Sequence, residues 1–308
     1  MKRSASTRAF FLGNKKCESE DTMEKLRMLL PKGHIEDKVM RVLARIGLEF
    51  RTSERSYRPV SPDSEIEAKI LKPQNIPALV GLGRHDCGFT GLDWIIEQEA
   101  DVVELLDLGF DRVRIVAAVP EILASSGEWK KRKIVVASEY GKISTDYISR
   151  RGLDAVFVRA FGATEALPPD DADMVIDNTA TGSTLAQNRL EIVDEIITST
   201  TRFIANRRAM EDPFKKRKLD ELVTLMKSTL CADERRLLEM NVPQECFDAI
   251  VPNLPCMRAP TVAPLHDNQG YAVKIALPAK DVPKLIPKLL AMGARDILEY
   301  RLEKIVTE

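Results

Sequence analysis

From Lys25 onward, short apolar runs alternate with stretches whose apolar residues recur at helical spacing. Residues 26–30 read as a buried strand. Ile35, Val39, Val42, Leu43 and Ile46 then share one helical face, and Gly47 stops that helix. Residues 48–50 read as a second short strand and 65–71 as a third. Pro73 opens a helix through Leu79 and Val80, and a strand follows over 86–90. The same rhythm restarts near Arg112. Strands are predicted over 113–119, 133–137, 155–158 and 174–176, with one helix N-capped by Ser144 and stopped by Gly152. Strand-like stretches over 190–197 and 202–205 carry the chain back. The pattern therefore predicts two α/β lobes, joined by more than one crossing, with a cleft between them.

A helix is predicted from Pro213 to about Leu230, with Lys215, Lys216, Arg217 and Lys218 at its start. Cations at that end oppose the helix dipole, so they form either a solvated face or a seat for a partner anion. The last stretch reads as strand (235–240), helix (244–251), strand (261–265), strand (272–277), helix (281–292) and strand (296–302), a ferredoxin-like βαββαβ order. Pro287 is expected to kink the second of these helices. The chain thus divides into an extension (1–22), a first lobe (23–111 with a return segment 199–230), a second lobe (112–198) and a small C-terminal domain (231–308). Fold analogy makes a small domain of that kind regulatory.

Composition narrows the function. The 308 residues suffice for about two domains of ordinary size. Lys+Arg 46 against Asp+Glu 47 leaves a net charge of −1, which removes the long-range attraction typical of nucleic-acid binders. A local basic pocket for a phosphorylated small molecule remains open. No apolar run approaches the roughly 18–20 residues that span a bilayer, and the best, 115–119, stops at Pro120. Neither nucleic acid nor membrane is an expected partner. The 5 cysteines form no C-x-x-C pair and the 3 histidines are scattered, which fits reduced thiols in a cytoplasmic protein and no metal cluster. Residues 1–22 are basic and Ser/Thr-containing at the start, then acidic. Their apolar patch is too short for a signal peptide, leaving a disordered extension or a transit segment, with Met23 opening the folded part.

The densest chemical signal is the run MVIDNTATGSTL over 174–185. An apolar strand ends in Asp177, and a Thr181-Gly182-Ser183-Thr184 turn opens a helix. Hydroxyls and main-chain amides converging at such a turn suit a phosphate monoester, and Gly182 lets the backbone come close. Asp177 is placed to accept from sugar hydroxyls. The plainer reading is a strand–turn–helix with Thr181 as N-cap. Lys32 sits in a strand-to-helix turn, as a cation for pyrophosphate or a solvated lysine. Asp93 fits either an N-cap or a cleft acid. Glu165 follows a buried strand, and Arg55 and Arg58, which flank Tyr57, fit phosphate binding or loop surface.

These motifs, in this order, resemble the long form of ATP phosphoribosyltransferase. Residues 30–35 (LPKGHI) are similar to that family's Leu-Pro-Lys-Gly-Arg-Leu opening, and 72–77 (KPQNIP) to its Arg-Pro-Gln-Asp-Ile-Pro. Residues 83–93 match its Gly-x-x-Asp-x-Gly-x-x-Gly-x-Asp, and 162–165 (GATE) resemble its Gly-Ser-Val-Glu. The stretch 259–265 (APTVAPL) resembles the C-terminal Pro-Thr-Ile-x-Pro-Leu. His34 stands where the family usually has Arg, Asn75 replaces an acid, and Glu139 stands where Lys or a neutral residue is usual.

The resemblance implies a two-lobed, periplasmic-binding-protein-like catalytic core and a C-terminal ferredoxin-like regulatory domain. It implies transfer of phosphoribosyl from phosphoribosyl diphosphate to N1 of ATP with release of pyrophosphate, the first step of histidine biosynthesis. Asp177, Lys32 and Glu165 are the expected catalytic residues. Asp177, Thr181, Gly182, Ser183 and Thr184 would bind phosphoribosyl diphosphate, and Lys32, Gly33, Arg55 and Asp93 would bind ATP or pyrophosphate. Mg²⁺ would enter on the substrate, with no direct protein ligands. Histidine would inhibit through Ala259, Thr261, Ala276 and Asp296, in a homo-oligomer that passes between dimer and hexamer. The alternative is a small-ligand binding or sensing protein of periplasmic-binding-protein-like fold. A LysR-like regulator would need a helix-turn-helix ahead of the lobes, and 1–22 has no room for one.

Overall fold

The computed structural model describes residues 24–51 and 56–306; the expectations for 1–22, Met23 and Arg55 lie outside these residues. The first lobe holds β1 (Leu26–Pro31), α1 (Glu36–Arg45), β2 (Ile66–Leu71), α2 (Ile76–Gly81), β3 (Cys87–Gly91), α3 (Leu92–Glu97) and β4 (Val102–Asp107). The second holds β5 (Val113–Pro120), α4 (Glu121–Ser126), β6 (Ile134–Ser138), α5 (Gly141–Arg151), β7 (Ala155–Arg159), β8 (Met174–Thr179), α6 (Ser183–Gln187) and β9 (Leu190–Ser199). The chain then returns through β10 (Thr201–Asn206), α7 (Arg207–Glu211) and α8 (Pro213–Asp233). Each lobe is a five-stranded mixed sheet, ordered β2-β1-β3-β10-β4 in the first and β7-β6-β8-β5-β9 in the second. In each, a parallel trio meets an antiparallel neighbour, β10 beside β3 and β5 beside β8.

Alternation along β1 explains its layering. Leu26, Met28 and Leu30 face a core built with α1 and α8, while Leu29 faces Ile76, Val80 and Ile95 on the other side. A strand buried on both faces reads as a continuous apolar run, as this one does from Met28 on; Arg27, the exception, is engaged by Asp86. Tyr140, Ile143 and Tyr147 pack α5 on one face of the second sheet, and Leu185 packs α6 on the other.

The C-terminal domain holds β11 (Arg235–Val242), α9 (Phe247–Ile250), β12 (Thr261–Pro264), β13 (Tyr271–Pro278), α10 (Val282–Ala291) and β14 (Arg295–Arg301). Its antiparallel sheet runs β12-β13-β11-β14, the ferredoxin-like arrangement. It is tied to the first lobe where Arg45 donates to the Glu303 carbonyl at 3.4 Å and the Ile305 amide donates to the Ser228 carbonyl at 2.9 Å.

Several local expectations are corrected. Residues 48–50 form no strand, because β2 and β3 already flank β1; Leu48 and Phe50 plug the core instead, and only Arg51 bridges to Val60. β4 was not foreseen from sequence: its burial is partial, and it gains its place only by pairing with the distant β10. Ser144 lies inside α5, not at its cap, and its buried hydroxyl has no hydrogen-bond partner among the described residues. The helix expected over 244–251 is a single α-turn flanked by 3₁₀ turns at Gln244–Cys246 and Val251–Asn253, bracketed by Pro243 and Pro252. Pro287 lies within α10, which continues through it. The cations opening α8 find acids within the protein: Lys215 reaches Asp86 at 3.3 Å, and buried Lys218 meets Asp63 at 2.6 Å and Glu65 at 2.7 Å.

Candidate active site

The lobes enclose a cleft cavity of about 300 Å³, whose lining includes Lys32, Lys72, Asp93, Glu139, Tyr140 and Asn178. Lys32 and Lys72 leave the carboxyl ends of β1 and β2, where open α/β sheets present their ligand sites. Gly33 follows Lys32 at φ +98°, a left-handed turn, and its amide donates to Glu36 Oε2 at 3.0 Å. The exposed Lys32 ammonium lies 4.9 Å from the Tyr57 ring centroid. His34 also faces the cleft, its Nε2 4.0 Å from Asp111 Oδ1, which Lys38 engages at 2.7 Å. Arg58 is turned to Glu67 at 2.5 Å on the exposed surface.

The second lobe presents carboxylates. Asp177 is on β8, and burial pushes its pKa up to about 6; the charges of Glu165 and Glu139 push in the same direction. The Asn178 amide, donating to Asp177 Oδ1 at 2.7 Å, opposes that shift. Glu165 sits in the 3₁₀ turn Thr164–Ala166 beside β8. Of these carboxylates Glu139 lines the cavity that Lys32 and Lys72 also line, and its charge reaches Asp177.

The loop after β8 is shaped by its own hydroxyls. Thr179 Oγ1 accepts from the Gly182 amide at 2.8 Å, and the Thr181 and Ser183 hydroxyls are 2.9 Å apart. Gly182, at φ +83°, is the N-cap of α6, so the Thr181 N-cap reading is corrected by one position. Thr181, Ser183 and Thr184 remain exposed to a ligand.

Asp93 is in the first turn of α3, with Gly91 and not Asp93 at the N-cap, and is only 4% exposed. Its Oδ1 accepts from Ser199 Oγ at 2.7 Å and its Oδ2 from Tyr140 Oη at 2.8 Å. A side chain at Gly91 would overlap the Asp93 carboxylate, so glycine is required there. Tyr140 Oη also accepts from Asn178 Nδ2 at 3.1 Å. Burial, reinforced by Asp93, raises the Tyr140 pKa and keeps the phenol protonated as a donor. Tyr140, Asn178, Ser199, Lys72 and Asp111 were not singled out from sequence. Lys72 and Asn178 lie inside the motifs over 72–77 and 174–185, and the signal for Ser199 is the hydroxyl run Ser199-Thr200-Thr201 between two strands.

In the C-terminal domain, exposed Ala259 and Thr261 lie at and just before β12, with Thr261 opposite Lys274. Ala276 pairs with Leu237, whereas Asp296 accepts from Asn241 Nδ2 at 2.9 Å. Four residues along β11 separate those partners, so Asp296 and Ala276 are offset by roughly 13 Å along the strands and flank β11 on opposite sides.

Comparison with known proteins accounts for this geometry. The family profile described as ATP phosphoribosyltransferase matches residues 72–228, and that of the HisG C-terminal domain matches 232–304. The ATP phosphoribosyltransferase of Thermodesulfovibrio yellowstonii is 36% identical over 91% of this chain and 98% of its own length. That of Chlorobium luteolum is 38% identical over 91% of this chain and 97% of its own. Among solved structures, the ATP phosphoribosyl transferase (HisG:HisZ) complex from Thermotoga maritima matches with a TM-score of 0.58 and 26% identity, over 66% of this chain and 98% of that one. A binding or sensing protein is not favoured. Matched by profile across its second lobe and C-terminal domain, and by relatives over nearly their whole length, the chain belongs to the ATP phosphoribosyltransferase family.

Proposed function

We propose that the interlobe cleft transfers the phosphoribosyl group of phosphoribosyl diphosphate to N1 of ATP, with the two charged walls dividing the work. The observation that carries this reading is that Lys32 and Lys72 of the first lobe share one cavity with Glu139 and Asn178 of the second, and that Asn178 adjoins Asp177 while the Glu139 charge reaches it. The Thr181, Ser183 and Thr184 hydroxyls, with the amides of that turn, anchor the 5′-phosphate. Binding energy gained there orients C1 for in-line attack. Asp177 holds the ribose hydroxyls and, when ionised, balances the positive charge that develops on the sugar; Glu165 adds to that field. Lys32, at the Gly33 turn, meets the departing pyrophosphate, and Asp93 shapes the ATP end of the cavity. The N1 nucleophile needs no general base.

Among the described residues no group of three or more His, Cys, Asp or Glu is placed to hold a metal. Mg²⁺ would be carried in on the diphosphate, with Asp177 and Glu165 favouring it by charge and not by direct ligation. Bound with the substrate, that ion would neutralise charge on the leaving group. A pyrophosphate-release assay tests the reading: release should require both ATP and phosphoribosyl diphosphate. Release with either one alone would sink it.

We also infer a cytoplasmic homo-oligomer under feedback control by histidine. Among the described residues no helix is long and apolar enough to cross a membrane. The exposed β12, together with Leu298 and Tyr300 on β14, gives the C-terminal sheet an uncovered apolar surface suited to another copy. On one protomer Asp296 and Ala276 do not converge, which favours a histidine site completed between copies. Millimolar histidine should lower the maximal rate without raising the KM for phosphoribosyl diphosphate, because Thr261 lies in a different domain from the Thr181–Thr184 loop. If histidine changes neither turnover nor melting temperature, the regulatory reading is wrong.

A further inference from the structure

The helix α3 belongs to the first lobe, where Ile95 packs with Leu29, Ile76 and Val80. Its two carboxylates nevertheless spend their oxygens on the second lobe and on Ser199, where the chain crosses back. Asp93 takes the Tyr140 and Ser199 hydroxyls, as described. Glu97, four residues on and so on the same helical face, accepts from three consecutive amides that open α5. Its Oε1 takes the Gly141 amide at 2.6 Å and the Lys142 amide at 3.2 Å, and its Oε2 takes the Ile143 amide at 3.1 Å. The Glu97 side chain is 6% exposed, with Arg159 at 4.0 Å. The N-cap position of α5 is Tyr140, which makes no side-chain cap bond, and its first turn holds no acid. A helix start with orphan amides and positive dipole is thus capped from the other lobe. Between the two carboxylates, Trp94 lies against Tyr140 with ring centroids 4.8 Å apart.

We propose that Asp93 and Glu97 make α3 a fixed joint between the lobes, and that Glu97 is a positioning residue holding the start of α5, and with it Tyr140, against the cleft during turnover. Tyr140 donates to Asp93 and accepts from Asn178, the neighbour of Asp177 on β8, so the joint sets the register of the acidic wall relative to Lys32 and Lys72. Glu97 touches no reacting group itself.

The test is Glu97→Ala in the full chain, read by amide hydrogen exchange over Gly141–Ile143 together with kcat and KM. Loss of a cap should speed exchange at those amides by about tenfold or more. Turnover at saturation should fall by at least about tenfold, since sub-ångström misplacement of opposed walls acts on kcat. KM for phosphoribosyl diphosphate should stay within about threefold, because Glu97 makes no contact with the Thr181–Thr184 loop. Glu97→Gln, which keeps one accepting oxygen, should recover part of both losses. It also serves where the alanine variant does not fold. Unchanged exchange overturns the proposal. So does faster exchange with unchanged kcat, which would leave Glu97 a stabilising cap only, or a loss confined to KM.

Discussion

Gly182→Val should lower turnover at least about a thousandfold while leaving the fold intact, because two penalties fall on the substrate loop alone. Gly182 is at φ +83°, and a β-branched residue in that region costs several times what alanine would. A Cβ there already lies 3.4 Å from Ile192 Cδ1, so the extra methyl groups must push toward the space between Thr181 and Ser183 where the phosphate is anchored. Gly182→Ala separates the two causes. Its Cβ fits at ordinary contact distance, so it bears the backbone strain only and should retain measurable turnover. Circular dichroism and the melting temperature should be near wild type for both variants. A folded Gly182→Val protein with near-normal turnover would remove the 5′-phosphate from this loop.

Asp177 gives the second large effect, and it has opposite signs for activity and stability. Asp177→Ala should reduce kcat by about 10²–10³, since it removes the charge facing the developing cation. The pH profile of the wild type should show an acid limb in the free enzyme near Asp177's value of about 6, with kcat/KM falling below it as the carboxylate protonates. Stability runs the other way. The folded pKa lies above the unfolded value, so the native state binds the extra proton; its contribution is complete below about pH 4 and is lost as pH rises through about 6. Above that window the ionised Asp177 costs up to about 3 kcal/mol, less whatever solvent relaxation recovers. Asp177→Asn should therefore melt several degrees higher than wild type at pH 7.5 and at the same temperature near pH 4. Equal melting at both pH values would show that burial does not strain this group.

The lobes and the C-terminal sheet were legible because their strands are short apolar runs bounded by turn residues, and Gly152 and Gly182 mark their turns in any context. The phosphate loop was legible for the same reason: its chemistry is contiguous over 181–184. What could not be read depends on partners far along the chain. β4 gives no strand signal of its own because its pairing strand lies about a hundred residues downstream. Ser144 was mistaken for a cap because the true capping group of α5, Glu97, belongs to another lobe. Asp93 was left between two roles for a related reason. No local pattern shows that Ser199 and Tyr140 close on its oxygens from two separate segments. Arg58, conversely, matched a phosphate-binding pattern and pairs with Glu67.

The strand β10 is inserted between β3 and β4, and it is made only after the whole of the second lobe. During synthesis the second sheet has all its strands once Ser199 has emerged, so it is free to close first. The first sheet must wait, with β3 and β4 each lacking a neighbour, until the chain has passed Asn206. A ribosome stalled between these points would display a finished lobe beside two open strand edges, which are templates for pairing with other chains. The order in which the protein leaves the ribosome therefore makes the earlier half of its sequence the later half to fold, and the one most in need of a chaperone.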